Sequence, residues 1–385
     1  MTARHLLLVG GGHSHVEVVR RFGHRPLPGT TVTLLSRDRF TPYSGMLPGY
    51  IAGHYRYRDV HIDLQALAAT AGIDFVRASA SGLDRDAGTV VTASGAAYPY
   101  DAVSLDIGST PDPGETGADR HAVAAKPIDG FDARWRALLE RVCADPTPRR
   151  IAVVGGGAGG VELVLAMQHR LTSELRARGA DPSVLRFALY TRGTTLLPTH
   201  NPRVQRRFRR LFARRAIDLQ CGQAVTGVDA HGLTTADGRH HGADEVIWVT
   251  RARGADWLAN TGLALDAQGF VRVSDTLQSV TDARVFAAGD IASMDNQPRA
   301  KAGVIAVRQG PPLARNLRRF LRHQPLRPHH PQRHWLALVT TGDRHAVASR
   351  GAFSTGGRLI WHAKDWIDRR FMRRYRPARD ATPGV

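Results

Sequence analysis

The chain has 385 residues, 42% hydrophobic and 23% charged, a globular composition long enough for two or three domains at roughly 150 residues each. Only Cys143 and Cys221 are present, which excludes a disulfide framework, a CxxC redox pair and a cysteine-based zinc site, and no apolar run approaches the ~18 residues of a membrane-spanning helix. The formal charge is +19, yet Lys126, Lys301 and Lys364 are the only lysines among 53 basic residues, so the arginine excess is either a codon bias or, where it clusters, an attraction to anionic partners.

Leu6-Leu7-Leu8-Val9 is a short buried strand, Gly10-Gly11-Gly12-His13-Ser14-His15 a glycine turn, and Val16–Phe22 an amphipathic helix ahead of a second strand at 31–35. That order is a βαβ dinucleotide-binding unit. The first glycine permits a tight turn, the second lets the backbone approach a pyrophosphate, and the helix N-terminus meets the anion. Gly10 and Gly12 fill these roles, while His15 stands where a third glycine or alanine packs helix on strand. Ile151–Val154 opens a second, complete copy, with Gly155, Gly157 and Gly160 matching GxGxxG and the next strand at 187–191.

Arg203–Arg215 carries seven arginines and no acid around the stripe Val204, Phe208, Leu211 and Phe212, the pattern of a solvated surface helix. Val285–Ala288 is a short strand closing in Gly289-Asp290, followed by a helix over about 303–320. An aspartate at such a strand end accepts hydrogen bonds from sugar or ribityl hydroxyls, or it caps a helix. The segment 359–375 mixes Trp361, Trp366, Phe371 and Tyr375 with a basic face, which suits a membrane interface, a dimer contact or a cover over a cofactor. No nucleic-acid-binding motif accompanies the charge.

Two glycine turns 145 residues apart, Tyr100–Pro111 with its ending Asp106-Ile107-Gly108-Ser109-Thr110-Pro111, and Val285–Asp290 resemble in their order the two-dinucleotide-domain flavoproteins of the pyridine nucleotide-disulfide oxidoreductase superfamily. Within it the chain is most similar to type II NADH:quinone and sulfide:quinone oxidoreductases. Gly10–Val16, Ser36–Gly53 and Trp361–Arg374 also resemble the flavoprotein domain sometimes fused ahead of selenophosphate synthetase, here as a stand-alone version. The resemblance implies an α/β, glutathione-reductase-like fold of two Rossmann-like domains. The FAD-binding domain takes 1–115 and 270–320, the NAD(P)-binding domain 116–269, and a small basic amphipathic segment 321–385.

The same resemblance implies that Gly10, Gly12, Ser14 and His15 surround the FAD pyrophosphate and that Pro42, Tyr43 and Ser44 line the flavin ring. Ser36 and Arg37 replace the acid that normally holds the adenosine ribose. Gly108, Gly289 and Asp290 complete the cofactor set, Asp290 on the ribityl chain. Lys301-Ala302-Gly303 resembles the Lys-Thr-Gly of sulfide:quinone oxidoreductases at the head of a helix that faces the flavin pyrimidine, where an ammonium stabilises anionic reduced flavin. For NAD(P)H it implies Gly155, Gly157 and Gly160 at the pyrophosphate, Glu162 near the nicotinamide, and Thr191 and Arg192 at the ribose. Arg192 either meets a 2′-phosphate, favouring NADPH, or is one more exposed arginine. Arg251 stands where relatives have glycine and would hinder the nicotinamide.

Disulfide reductases of this superfamily need a cysteine pair beside the flavin, and neither Cys143, on a predicted helix, nor Cys221, after a strand of the nucleotide domain, suits that place. The implied activity is therefore FAD-dependent NAD(P)H:acceptor oxidoreduction by direct hydride transfer, with Lys301 and Glu162 as catalytic residues and a quinone as acceptor. The alternatives are a sulfur or selenium acceptor, and a non-catalytic flavin- or nucleotide-sensing module. The implied setting is cytoplasmic, peripheral on the inner face of the membrane, as a homodimer.

Overall fold

The computed structural model describes residues 4–111, 114–126, 128–250, 252–297, 301–332 and 335–376. Its framework begins with β1 (Arg4–Val9), α1 (His13–His24), β2 (Thr30–Ser36), β3 (Asp74–Arg77), β4 (Ala102–Leu105), β5 (Ala122–Ala124) and α2 (Ile128–Ala144). Then come β6 (Arg149–Val154), α3 (Ala158–Ala177), β7 (Leu185–Thr191), α4 (Pro202–Arg214), β8 (Ile217–Cys221) and β9 (Glu245–Trp248). The chain continues through β10 (Val285–Ala287), α5 (Gly303–Leu321), β11 (Ala337–Thr340), β12 (Ala346–Arg350), β13 (Phe353–Gly357) and α6 (Arg358–Arg373).

Two five-stranded parallel sheets carry the fold, ordered β10-β4-β1-β2-β3 and β5-β9-β6-β7-β8. Each is a Rossmann-type sheet, as expected, with the strand that feeds a glycine turn at its centre. Leu6, Leu7, Leu8 and Val9 are all fully buried, which explains a continuous apolar run in place of alternation: helices cover both faces of such a sheet. β10 reaches the first sheet only after the whole second sheet has been threaded, so the Gly289-Asp290 turn lands beside the first glycine turn.

α4 buries Val204, Phe208 and Phe212 and exposes most of its arginines, and Asn201 caps it by accepting the N–H groups of Arg203 and Val204 at 3.1 Å. The antiparallel sheet β11-β12-β13 was not anticipated, because strands of four or five residues leave too short a pattern to read. It leads into α6, where Trp361, Lys364, Asp368, Phe371 and Met372 are buried at helical spacing, Phe371 and Met372 in the core cluster that also holds β1.

Beyond α6, the Tyr375 hydroxyl donates to Glu17 of α1 at 2.9 Å. Burial pushes the Glu17 carboxyl up, but hydrogen bonds from Arg20, Arg21 and Tyr375 outweigh it and hold the group down at about 2. A depressed carboxyl stabilises the fold above its unfolded pKa and loses that contribution as pH falls through its folded one. Acid titration should therefore cost about 3 kcal/mol between pH values of about 4.5 and 2, and Glu17→Gln should remove that step from the stability profile.

Candidate cofactor and active site

The first glycine turn closes on Asp106 at the end of β4. Gly10 has φ +97°, and a Cβ there would overlap the Asp106 carbonyl, while a Cβ on Gly12 would overlap its carboxyl group. Asp106 Oδ2 accepts the N–H groups of Ser14 (2.8 Å) and His15 (3.0 Å), and Ser14 Oγ donates to the Ala306 carbonyl of α5 at 2.7 Å. His15 turns into the core. Its Nδ1 lies 2.7 Å from the Gly10 carbonyl, which can only accept, so Nδ1 carries the proton and Nε2, 2.9 Å from Ser104 Oγ, accepts the hydroxyl. Burial keeps the ring neutral, its pKa lowered to about 4. The bulky residue at the third-glycine place thus ties the turn to β4. Ser36 is buried at the end of β2, and exposed Arg37 pairs with Asp38 at 2.7 Å.

Facing this turn, Asp290 accepts from Lys126 Nζ at 2.5 Å and from Ser109 Oγ at 3.3 Å, next to Gly108 with φ +73°. Pro42 ends a short strand, and the loop after it packs on the start of α5, where a Cβ on Gly303 would overlap Ser44 Oγ. Tyr43 lies edge-on to His13 at 5.4 Å and stacked on Phe371 of α6 at 4.3 Å. Lys301 Nζ donates to the Ala292 carbonyl at 2.7 Å and sits 3.8 Å over the Phe270 ring, and burial brings it down to about 8.

Lys364 and Asp368 were missed by sequence reasoning. Lys364 Nζ donates to the Gly45 carbonyl at 2.5 Å and to Asp368 at 2.6 Å, and Asp368 also holds the Tyr43 hydroxyl. The signal was available in the composition, since all three lysines of an arginine-rich chain converge here: Lys126 on Asp290, Lys301 at the head of α5, Lys364 under the Tyr43–Gly45 loop.

The second turn is stricter about glycine. Gly155 has φ +135°, a Cβ on Gly156 would lie 2.6 Å from Thr191 Oγ1, and a Cβ on Gly160 would overlap the Gly155 carbonyl. Arg192 is exposed. Glu162 Oε1 accepts the backbone N–H (2.7 Å) and hydroxyl (2.8 Å) of Thr340 in β11, and burial raises its carboxyl while Lys364 pulls it back. Arg251 lies outside the described residues.

A dinucleotide fits both turns. No side chain caps α3 at Gly157, and a Cβ on Gly157 or Gly108 would meet nothing within 4 Å, so at the second turn backbone N–H groups and free space face the same point. The one difference is that Asp106 already takes two amides at the first turn. Cys143 lies on α2 and Cys221 ends β8 beside Arg209, both on second-sheet elements.

Residues 4–310 match the pyridine nucleotide-disulphide oxidoreductase family. An NADH dehydrogenase-like protein of Mycobacterium tuberculosis is 26% identical over 293 residues, covering 68% of this chain and 67% of that protein. A type II NADH:quinone oxidoreductase of Staphylococcus aureus is 21% identical over 335 residues, 82% of each chain. Among solved structures, the sulfide:quinone oxidoreductase of Aquifex aeolicus shares the fold with a TM-score of 0.80 at 20% identity, over 98% of this chain and 93% of that one.

Proposed function

Since the chain belongs to the pyridine nucleotide-disulphide oxidoreductase family and is an FAD-dependent oxidoreductase with NAD(P)H as donor, we propose that it passes those electrons to a quinone without a redox disulfide. The observation that carries this reading is the place of its two cysteines, on α2 and β8 of the second sheet, away from the Tyr43–Gly45 loop and the start of α5. The quinone is supported by the type II NADH:quinone oxidoreductase among the relatives.

FAD supplies the hydride-accepting centre. The protein's own part is to position and to bias. The first turn and Asp290 would hold the cofactor and the second turn would hold the diphosphate of NAD(P)H at the start of α3, an orientation that would bring the two reactive groups within reach. Lys301 brings a desolvated ammonium to the head of α5, where it favours negative charge on a bound ring. Glu162, its carboxyl raised by burial, is a proton-holding group on the α3 side.

No helix of the described residues is long and apolar enough to cross a membrane. The outer face of α6 nevertheless exposes Leu359 (83%), Trp366 (55%) and Ile367 (42%) among Arg358, Arg369, Arg370 and Arg373, a composition that lies in an anionic membrane interface, where quinones reside.

The test is steady-state turnover with a quinone carried in anionic vesicles, using wild type and the double variant Cys143→Ala/Cys221→Ala. The variant should reduce quinone within twofold of wild type. A loss of tenfold or more with FAD content unchanged would assign the electrons to a thiol and overturn the reading.

A further inference from the structure

Asp106 is only 2% exposed, and it lies between two pieces of backbone assigned above to the cofactor. On one side its Oδ2 accepts the Ser14 and His15 N–H groups of the first turn of α1 at 2.8 and 3.0 Å. On the other its Oδ1 is so close to Gly289 that a Cβ there would overlap it. Gly12 and Gly289 are therefore glycines because of this carboxyl group, and the space it occupies is contiguous with the turn that meets a diphosphate.

The charged and titratable groups around Asp106 leave it without a cation among the described residues. From α1, His13 and His15 are both held neutral by burial, their pKa values near 4. From the end of β10, Asp290 opposes a second negative charge, and Lys126 is bound to Asp290 at 2.5 Å. At the head of α5, Lys301 donates to the Ala292 carbonyl. Burial dominates, with Asp290 adding to it and the two amides opposing, so the Asp106 carboxyl is pushed up to about 7.

A diphosphate brings further negative charge to the same helix terminus. We propose that Asp106 is a proton-linked group of the FAD site: it takes up a proton as FAD binds, so that the loaded site holds the neutral acid. The neutral group keeps its carbonyl oxygen as acceptor for the Ser14 and His15 amides and removes a like charge from beside the cofactor. This rests on the reading of Gly10–Ser14 as the FAD turn.

The test is titration of the FAD-free full chain with FAD, followed by flavin fluorescence, from pH 6 to 9. Linkage to a group titrating near 7 makes Kd rise about tenfold from pH 6 to 8 and about tenfold again to pH 9. Asp106→Asn keeps the acceptor and removes the acid, so its Kd should change less than about twofold across the range. Lys301, which titrates near 8, would also weaken anion binding as it loses charge; the slope should survive in Lys301→Met, and its disappearance there would overturn the proposal. A flat wild-type profile, or an Asp106→Asn profile as steep as wild type, overturns it too.

Should Asp106→Asn fail to fold, proton uptake by the wild type decides. In weakly buffered solution at pH 8, an indicator dye should report about 0.9 proton taken up per FAD bound, and no uptake contradicts the proposal. An absence of FAD binding at every pH would sink the FAD reading of the turn and the proposal with it, whereas pH-independent binding sinks the proposal alone.

Discussion

Lys364→Met should lower the unfolding free energy by about 3–5 kcal/mol at pH 7, a large share of the 5–15 kcal/mol typical of a folded domain. Lys364 and Asp368 are 8% and 4% exposed, so removing the ammonium leaves a carboxylate stranded in a buried site and frees the Gly45 carbonyl it holds. Asp368 is already raised by burial against the pull of Lys364, and without that pull it rises further. A carboxyl raised above its unfolded value costs stability as pH rises through the unfolded pKa, so the deficit should shrink on going from pH 7 to about 4. Lys364→Met/Asp368→Leu should regain part of the loss, because no carboxylate is left stranded at 368, although the Gly45 carbonyl and the Tyr43 hydroxyl lose their partners. Urea unfolding at the two pH values is the check; a deficit below about 1 kcal/mol at pH 7 would mean the pair is solvated.

The second large effect belongs to Gly160. A Cβ there would collide with the Gly155 carbonyl, so Gly160→Ala must push α3 off β6 and carry the whole turn with it. Flavin reduction should fall at least 100-fold in kcat/KM for NAD(P)H, about 3 kcal/mol of transition-state stabilisation, with FAD content unchanged because the first turn belongs to the other sheet. Gly157→Ala is the informative contrast. Its Cβ would meet nothing within 4 Å of the cofactor-free chain, so Tm should be preserved while NAD(P)H binding weakens. Equal loss of Tm in both variants would show that the two glycines serve packing alone.

What the sequence made legible was what geometry forces onto single residues. Gly10 and Gly155 adopt φ values of +97° and +135° and sit against backbone, so glycine recurs at both turns and the two parallel sheets follow from their spacing. The apolar stripe of α4 was legible for the same reason, since it depends on one helix alone. What stayed hidden depends on contacts between distant segments. Lys364 lies 319 residues from Gly45 and Lys126 lies 164 from Asp290, and no local pattern announces either bond. His15 was recognisable as a departure from the glycine pattern, but its tie to Ser104, 89 residues on, was not. In α6 the aromatics read as one amphipathic set, whereas folding divides them: Trp361, Phe371 and Tyr375 are buried and Trp366 stays in solvent.

Anaerobic stopped-flow mixing of the FAD-loaded protein separates direct hydride transfer to flavin from a thiol relay. NADH or NADPH should bleach the flavin absorbance in a single phase with no thiolate-to-flavin charge-transfer band, because the cysteines sit on α2 and β8 and not on the Tyr43–Gly45 loop or at the start of α5. A second mixing step with quinone should then restore the oxidised spectrum. A flavin that neither nucleotide bleaches, or one that is bleached but reoxidised by a disulfide and not by quinone, would contradict the account.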